Sequence, residues 1–272
     1  MLKGTWVERH APDYKGLSHP IQFYEPCLAC FSQITSKANL FPLYIIMNLK
    51  ENETLEDLLI DGLKIIQNKS LYRFSSDAVL LSKFASFKKG DVVADFCAGS
   101  GIVGMHFYAL NKDVQRVDGY EIQSELADTF ARSIEYNCLQ DKIFCYNLPI
   151  QEIGKEKNGE YSLILCNPPY KKKNSGGTNP QGHIAICRHE IAITLEEIIE
   201  ISAKKLKHGG RLAMCQRVER LTDMLAIMRA NKIEPYKLQF VISGNEQKPY
   251  LFLVEGVKGV CRQLSVLETI RN

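Results

Sequence analysis

Residues 92–104 read VVADFCAGSGIVG, an apolar run that leads into two closely spaced glycines and a second apolar run. This pattern predicts a buried β-strand, a tight turn and the beginning of a helix. Gly99 and Gly101 let the backbone turn sharply and approach a ligand, because neither residue carries a side chain. The stretch therefore predicts a cofactor loop at the carboxyl end of a strand.

Strand and helix patterns alternate around this loop. Strand patterns occur at residues 63–67, 92–96, 117–122, 143–146, 161–166 and 211–216. Helix patterns separate most of them, at residues 78–84, 124–136 and 194–207. Ser75, Ser76 and Asp77 supply an N-cap for the first helix, and Thr194 with Glu197 forms a capping box for the last. The alternation predicts an α/β fold with a mostly parallel sheet and helices on both of its faces.

The last part of the chain departs from this alternation. Residues 236–243 and 250–257 are strand patterns that flank a short polar turn. They predict an antiparallel hairpin that closes the sheet. A chain of 272 residues that is 45% hydrophobic has enough apolar material for one large core, so we expect a single domain with an extension.

The extension is predicted at the beginning of the chain. Residues 1–46 follow neither a helical nor a strand period and contain the only tryptophan, Trp6. We therefore predict an irregular N-terminal extension at residues 1–46 and an α/β domain at residues 47–272. Met47 opens a polar lead into a predicted helix and is a candidate for the start of translation.

The composition says more about the cellular compartment of the protein than about its substrate. A net charge of +3 neither requires nor opposes a nucleic-acid partner. The odd number of cysteines, nine, argues against a secreted disulfide framework and predicts reduced thiols in a cytoplasmic protein. The longest apolar stretch, residues 40–47, is too short to cross a bilayer, so no membrane partner is expected. Cys27 and Cys30 lack a second ligand pair, so no metal is expected.

Two acidic residues bear on the identity of the cofactor. Asp95 would oppose a pyrophosphate but would suit the ammonium and sulfonium of S-adenosylmethionine. Glu121 follows Gly101 by 20 residues and can accept hydrogen bonds from ribose hydroxyls. Gly99, Gly101 and Gly104 also match the dinucleotide fingerprint, which leaves an NAD-dependent enzyme as the alternative.

A second motif, Asn167-Pro168-Pro169-Tyr170, directly follows the apolar run at residues 161–166. The Asn167 side-chain oxygen and the Pro168 carbonyl can accept the two protons of a planar amine, while Tyr170 can stack on its ring. Catalysis by such a site would come mainly from positioning and charge stabilisation. The motif predicts chemistry on an exocyclic or amide nitrogen.

Three lysines follow this motif: Lys171, Lys172 and Lys173. A run of positive charge is either a solvated loop or a substrate-binding segment that contacts phosphates. The sequence leaves both interpretations open.

The motifs together resemble those of the bacterial tRNA1(Val) (adenine-37-N6)-methyltransferases, which are class I S-adenosylmethionine-dependent enzymes. The resemblance covers about residues 50–258 and rests on residues 63–67, 72–78, 95–104, 167–170 and 188–190. It implies a Rossmann-like sheet of seven strands whose last hairpin is antiparallel, so that residues 47–272 would be a methyltransferase domain. The first 46 residues have no counterpart in the family.

The resemblance also implies roles for individual residues. The cofactor would be held by Asp95, Ala98, Gly99, Gly101 and Glu121. The adenine amine would be held by residues 167–170, including Pro169. The acidic residue that often follows the third strand in the family is absent, and Asn147 nearby is a candidate for contact with the cofactor adenine.

The leading hypothesis is methylation of the N6 amine of an adenine in tRNA with S-adenosylmethionine as the donor. One alternative is a protein glutamine N5-methyltransferase that acts on a release factor or a ribosomal protein, because an amide fits the same site. Another is a non-catalytic protein that binds S-adenosylmethionine or RNA. No pattern in the sequence specifies an oligomeric state.

Overall fold

A computed structural model describes residues 49–71, 76–168, 170 and 193–272. The predicted N-terminal extension lies outside these residues, and so do Cys27, Cys30 and the Arg188-His189-Glu190 element. The division into an extension and a domain therefore stays a prediction.

A two-stranded antiparallel hairpin precedes the main sheet. Strand β1 (Glu53–Asp57) pairs with β2 (Lys64–Asn68). The sequence predicted the second strand but placed a helix where β1 lies, and that prediction was wrong. Leu55 is opposite Ile66 in the hairpin and packs with it against Tyr136, so contacts distant in sequence determine the strand.

The main sheet has seven long strands. In chain order they are β3 (Val92–Phe96), β4 (Arg116–Tyr120), β5 (Ile143–Tyr146), β6 (Tyr161–Cys166), β7 (Leu206–Arg217), β8 (Ile233–Ile242) and β9 (Leu251–Lys258). Their spatial order is β8-β9-β7-β6-β3-β4-β5. Strands β3 to β7 are parallel to one another, while β9 lies between β7 and β8 and is antiparallel to both. The predicted fold class is confirmed.

Two short strands extend the sheet beyond the predicted seven. Both β10 (Ser265–Val266) and β11 (Ile270–Arg271) pair in parallel with β8. These two-residue strands cover the outer edge of β8, which would otherwise present unpaired backbone groups.

Helices cover both faces of the sheet. In the described residues they are α1 (Ser76–Phe84), α2 (Ile102–Leu110), α3 (Ser124–Tyr136), α4 (Leu195–Lys205) and α5 (Leu221–Ala230). One core cluster joins α1, α2 and α3 to the sheet through residues such as Leu81, Phe107 and Phe130, and a second joins α4 and α5 through Ile199 and Met224.

The predicted capping box is present at the beginning of α4. This helix ends at Lys205, two residues earlier than predicted, because Leu206 already belongs to β7.

Candidate active site

The carboxyl ends of three neighbouring strands meet at one edge of the sheet. Phe96 at the end of β3 is in register with Tyr120 of β4 and with Cys166 of β6. The residues that precede or follow these positions, Asp95, Glu121 and Asn167, are therefore brought to the same edge. In open parallel sheets this is the edge at which ligands bind.

The glycine loop between β3 and α2 is held in place by backbone hydrogen bonds. The Ala98 amide donates to the Tyr120 carbonyl at 3.0 Å, and the Gly99 amide donates to Glu121 Oε2 at 2.8 Å. Gly99 and Gly101 have φ angles of +58° and +87°, which residues with a Cβ rarely adopt. These contacts fix the loop next to the carboxylate that ends the neighbouring strand.

Gly101 is required for a reason that the sequence did not reveal. A Cβ at this position would overlap the ring of Phe130 from α3. The sequence attributed the glycine to the close approach of a ligand, whereas the residue that approaches closely in the structure is Phe130. A Cβ on Gly99 would meet no protein atom within 4 Å, so within the protein that position is restricted by its backbone angle.

Asp95 is a fully buried carboxylate, and one of its two oxygens has no hydrogen-bond partner in the described residues. Its Oδ2 accepts a hydrogen bond of 2.8 Å from the Gly104 amide at the beginning of α2. Its Oδ1 has no hydrogen-bond partner among the residues that the structure describes. Burial raises the pKa of Asp95 to about 7. The Gly104 hydrogen bond opposes this rise, and the negative charge of Glu121 adds to it. A cation beside Oδ1 would relieve this cost.

Glu121 is also buried, with 5% of its surface exposed. Its Oε1 accepts a hydrogen bond of 2.9 Å from the Gln123 amide, and its Oε2 accepts the one from Gly99. Burial raises the pKa of this carboxyl, and the backbone hydrogen bonds oppose that shift. The Gln123 side chain and the Ile122 amide also lower this pKa through hydrogen bonds, so the carboxylate is held by donors from the segment that directly follows it.

Asn147 lies at the same edge, one residue after β5. Its Nδ2 donates to the carbonyls of Glu121 at 2.8 Å and Ile122 at 3.1 Å. The side chain therefore fixes the backbone that carries Glu121, and it is exposed beside that residue. Its predicted contact with the cofactor adenine stays a prediction.

The side-chain oxygen of Asn167 is the centre of a hydrogen-bonded group. Asn167 Oδ1 accepts a hydrogen bond of 2.7 Å from the Tyr170 hydroxyl and one of 3.0 Å from the Cys215 thiol. Pro168 is buried, and the Tyr170 ring packs against the core cluster of α1, α2 and α3. Burial raises the pKa of the Cys215 thiol, so this thiol keeps the proton that it donates to Asn167.

Several predicted site residues fall outside the described part of the chain. They are Pro169, Lys171, Lys172 and Lys173. Within the described ranges, no group of three or more His, Cys, Asp or Glu side chains is arranged to hold a metal ion. Within the same ranges, no helix is both long enough and apolar enough to cross a membrane.

Three residues at the site were not predicted to belong to it. The Asp77 carboxylate accepts hydrogen bonds from tyrosine hydroxyls at the site, although the sequence assigned it to a helix cap. Cys215 contacts Asn167 from a buried position on β7. Gln67 of β2 donates to Ser100 in the glycine loop at 2.6 Å. Gln67 stood out as a polar residue at the end of an apolar strand pattern, whereas a buried cysteine such as Cys215 resembles any small core residue.

These residues fit a cofactor that carries both a positive charge and a ribose. Asp95 has a buried carboxylate oxygen without a hydrogen-bond partner in the described residues, and Glu121 places a second buried carboxylate at the end of the neighbouring strand. A dinucleotide would instead bring its negatively charged pyrophosphate to the buried Asp95.

Fold and site together define the class: the chain is an S-adenosylmethionine-dependent methyltransferase with a Rossmann-like fold. Within that class it belongs to the methyltransferase small domain family, which it matches over residues 75–230, more than half of its length. This membership decides between the two cofactors that the glycine spacing left open, in favour of S-adenosylmethionine.

Several proteins of known name are similar to this chain along most of its length. The tRNA1(Val) (adenine(37)-N6)-methyltransferase of Flavobacterium psychrophilum is 27% identical over 212 residues, which are 76% of this chain and 88% of the relative. The protein of the same name from Parabacteroides distasonis is 22% identical over 188 residues, which are 69% of this chain and 78% of the relative.

Solved structures with the same fold are more distant in sequence. A predicted O-methyltransferase from Agrobacterium tumefaciens has a TM-score of 0.55 at 18% identity and covers 71% of this chain and 86% of its own. Trm5 of Methanocaldococcus jannaschii, solved in complex with adenosine, has a TM-score of 0.56 at 13% identity and covers 79% of this chain and 59% of its own. At these identities the likeness concerns the fold alone.

Proposed function

We propose that this chain methylates the N6 amine of an adenine in tRNA, and that the target is adenine-37 in the anticodon loop of a valine tRNA. The observation that carries the proposal is the position of Asn167 Oδ1, which lies at the same sheet edge as Asp95 and Glu121. The names of the relatives point to the same substrate. A tRNA substrate implies that the enzyme acts in the cytoplasm.

The acceptor half of the site orients the amine. Asn167 Oδ1 accepts one amine proton and the Pro168 carbonyl accepts the other, which directs the nitrogen lone pair away from both oxygens. The nitrogen of adenine is a weak nucleophile because its lone pair is delocalised into the ring. Withdrawing both protons into hydrogen bonds favours a tetrahedral nitrogen, so positioning carries most of the catalysis.

The donor half of the site holds the cofactor, which when bound supplies a methyl group on a positively charged sulfur. Asp95 Oδ1 offers the buried negative charge that a cationic ligand needs, and Glu121 accepts hydrogen bonds from ribose hydroxyls. The Gly99 and Gly101 backbone and Ala98 form the wall of this half, and Asn147 lies at its rim. With the cofactor bound, its methyl group would pass from the sulfur to the amine nitrogen that Asn167 and Pro168 hold, and the amine would release a proton to water.

The tRNA is recognised beyond the reacting base. The Tyr170 ring stacks on the adenine, a contact worth about 1–3 kcal/mol for a base on an aromatic ring. Pro169, Lys171, Lys172 and Lys173 contact the RNA around it, with the lysines next to phosphates. An anticodon-loop adenine is more accessible to such a site than a base stacked within a helix.

The test supplies labelled S-adenosylmethionine together with one acceptor at a time. The acceptors are an unmodified valine tRNA transcript, the same transcript with guanine at position 37, and a bacterial release factor. We expect label in N6-methyladenosine from the first transcript and none from the other two. Label in glutamine would instead identify a protein methyltransferase, and absence of label from all three would contradict the proposal.

The role of Asn167 is tested separately with the Asn167→Ala variant. We expect calorimetric binding of the cofactor to stay within about twofold, while methylation falls by roughly a hundredfold or more, as for other preorganised polar groups. Near-normal turnover in this variant would refute the role given to Asn167 even if the RNA product is correct.

A further inference from the structure

The Tyr170 hydroxyl lies between two oxygen acceptors and is also 3.6 Å from the Cys215 sulfur, a weaker partner. It is 2.7 Å from Asn167 Oδ1 and 3.1 Å from Asp77 Oδ2. Both distances are those of a hydrogen bond, but a tyrosine hydroxyl has a single proton and can donate to one of these oxygens at a time. Rotation of the O–H bond about the Cζ–O bond moves the donation from one oxygen to the other without displacing either partner.

The Asn167 oxygen has little capacity to spare while Tyr170 donates to it. An amide oxygen has two lone pairs, and Cys215 already donates to one of them at 3.0 Å. When the Tyr170 proton occupies the second, an incoming amine must displace a hydrogen bond before Asn167 can hold it. The capacity of this oxygen therefore depends on where the Tyr170 proton points.

Asp77 is held so that it can take that proton. It lies in the first turn of α1 with 7% of its surface exposed. Its Oδ1 accepts a hydrogen bond of 2.9 Å from the Tyr250 hydroxyl. Asn272 Nδ2 donates to the Tyr250 hydroxyl at 3.3 Å, which leaves the Tyr250 proton for Asp77. The carboxylate is thereby anchored on one oxygen, and the other faces Tyr170.

We propose that Asp77 is a positioning residue that accepts the Tyr170 hydroxyl proton when the substrate amine arrives and so releases Asn167 Oδ1 to bind the amine. This inference rests on the proposed function, because it needs Asn167 to hold the acceptor nitrogen. Asp77 itself does not touch the substrate. It acts through Tyr170, and the hydrogen bond lost at Asn167 is replaced by one to a charged acceptor, which is the stronger kind.

The proposal predicts that Asp77 matters only while Tyr170 has its hydroxyl. Asp77→Ala leaves Asn167 as the remaining acceptor of the pair, so the amine must compete with Tyr170. We expect kcat/KM for the tRNA to fall roughly tenfold, the effect of one additional competing hydrogen bond. Tyr170→Phe removes the competing donor and keeps the ring. In that background Asp77→Ala should change kcat/KM by less than about twofold.

A matched control is available on the same carboxylate. Tyr250→Phe also removes one hydroxyl from Asp77 but leaves the donors to Asn167 in place, so we expect kcat/KM to change by less than about threefold. Asp77→Asn keeps an acceptor oxygen and serves as the second variant if Asp77→Ala does not fold. Its smaller loss should likewise disappear in the Tyr170→Phe background. Cofactor affinity, measured by calorimetry, should be unchanged in every folded variant.

The measurements distinguish this inference from the proposed function. Equal losses from Asp77→Ala with and without the Tyr170 hydroxyl would show a structural role in supporting α1 and would overturn the inference. No loss in either background would overturn it as well. If the wild-type chain methylates tRNA and Asn167→Ala does not, the proposed function stands regardless of these two outcomes. If Asn167→Ala is active, the proposed role of Asn167 fails first.

Discussion

Gln67 of β2 donates a hydrogen bond of 2.6 Å from Nε2 to the hydroxyl of Ser100, which lies between the two glycines of the cofactor loop. Both side chains are buried. The hairpin that precedes the main sheet thus supports the cofactor loop from outside the βαβ unit that forms it. We therefore expect the hairpin to contribute to cofactor binding through this contact.

Replacing Gln67 with leucine should loosen this loop. The variant keeps the volume but leaves the buried Ser100 hydroxyl without this donor, which typically costs about 1–3 kcal/mol. We expect a lower free energy of unfolding by this amount and about five- to tenfold weaker binding of S-adenosylmethionine, measured by calorimetry. Gln239→Leu is the control for binding, because Gln239 donates to the Glu268 carbonyl from β8, which three strands separate from β3 in the sheet. Equal binding by both variants would contradict the assigned support.

Cofactor binding should depend on pH through Asp95. Burial raises the pKa of this carboxyl to about 7, so in the free protein the carboxylate forms only as the pH passes through that region. A cationic ligand binds the ionised form, and affinity for S-adenosylmethionine should rise by up to about tenfold per pH unit below 7 and level off above it. Asp95→Asn should bind more weakly and lose this dependence. An unchanged pH profile in the variant would exclude Asp95 as its source.

The raised pKa of Asp95 also makes the stability of the free protein depend on pH. Stability should fall as the pH rises, whereas cofactor affinity should increase. The folded state holds the Asp95 proton more tightly than the unfolded chain, whose carboxyl has a pKa near 3.8. Stability from this group is therefore fully present below the unfolded pKa and is lost as the pH rises toward about 7. Relative to wild type, Asp95→Asn should gain stability across this window by at most about 1.4 kcal/mol per pH unit. Urea unfolding of both proteins at pH values within the window measures the difference.

Gly101 should be far less tolerant of alanine than Gly99. Both substitutions impose a positive φ on a residue with a Cβ, which costs about 1–2 kcal/mol. Only the Gly101 variant also forces a methyl group into the ring of Phe130, which adds about 1–3 kcal/mol. Urea unfolding should therefore show the larger loss for Gly101→Ala. Equal losses would mean that Phe130 moves aside without cost.

A buried ion pair at the opposite end of the sheet should affect stability without affecting chemistry. Arg211 Nη2 lies 2.5 Å from Asp91 Oδ2, and its Nη1 donates to the Ser86 carbonyl at 2.6 Å. Arg211→Met leaves the Asp91 charge buried and should lower the free energy of unfolding by about 3–5 kcal/mol. The folded fraction should keep its KM for tRNA and cofactor.

An exposed ion pair serves as the control for the buried Arg211–Asp91 pair. Arg229 lies 3.3 Å from Glu234, and its side chain is 69% exposed. Arg229→Met should cost less than about 1 kcal/mol, because water replaces the lost interaction. A similar cost for both arginines would show that burial does not determine the strength of the first pair.

Local patterns predicted most of the fold. Apolar periodicity located the strands of the main sheet, and the capping box at Thr194 located the beginning of α4, since both signals depend on residues close together in the chain. The helix expected after the polar lead from Met47 was wrong, since residues 53–57 form β1. Pairing with β2 and packing of Leu55 against Tyr136 select the strand there.

The two motifs of the site were likewise visible in the sequence, and the parallel order of the strands was enough to place both at one edge. The residues that these two motifs contact in the folded protein could not be predicted from the sequence. Asp77 resembled a helix cap, but it is the second residue of α1 and accepts hydrogen bonds from Tyr170 and Tyr250, which lie 93 and 173 residues further along the chain. No local pattern encodes contacts over such separations.

The sequence by itself determined the class of fold, the glycine loop and the motif at residues 167–170, because each depends on backbone preferences and spacing within a few residues. The tertiary structure decided the protonation, the steric limits and the hydrogen-bond partners of the side chains in the site. Burial shifts the pKa of Asp95, and Phe130 excludes a side chain at Gly101. Asp77 and Asn167 both lie within hydrogen-bond distance of the Tyr170 hydroxyl. These effects depend on distance and desolvation between residues far apart in the chain, and only the folded arrangement sets both.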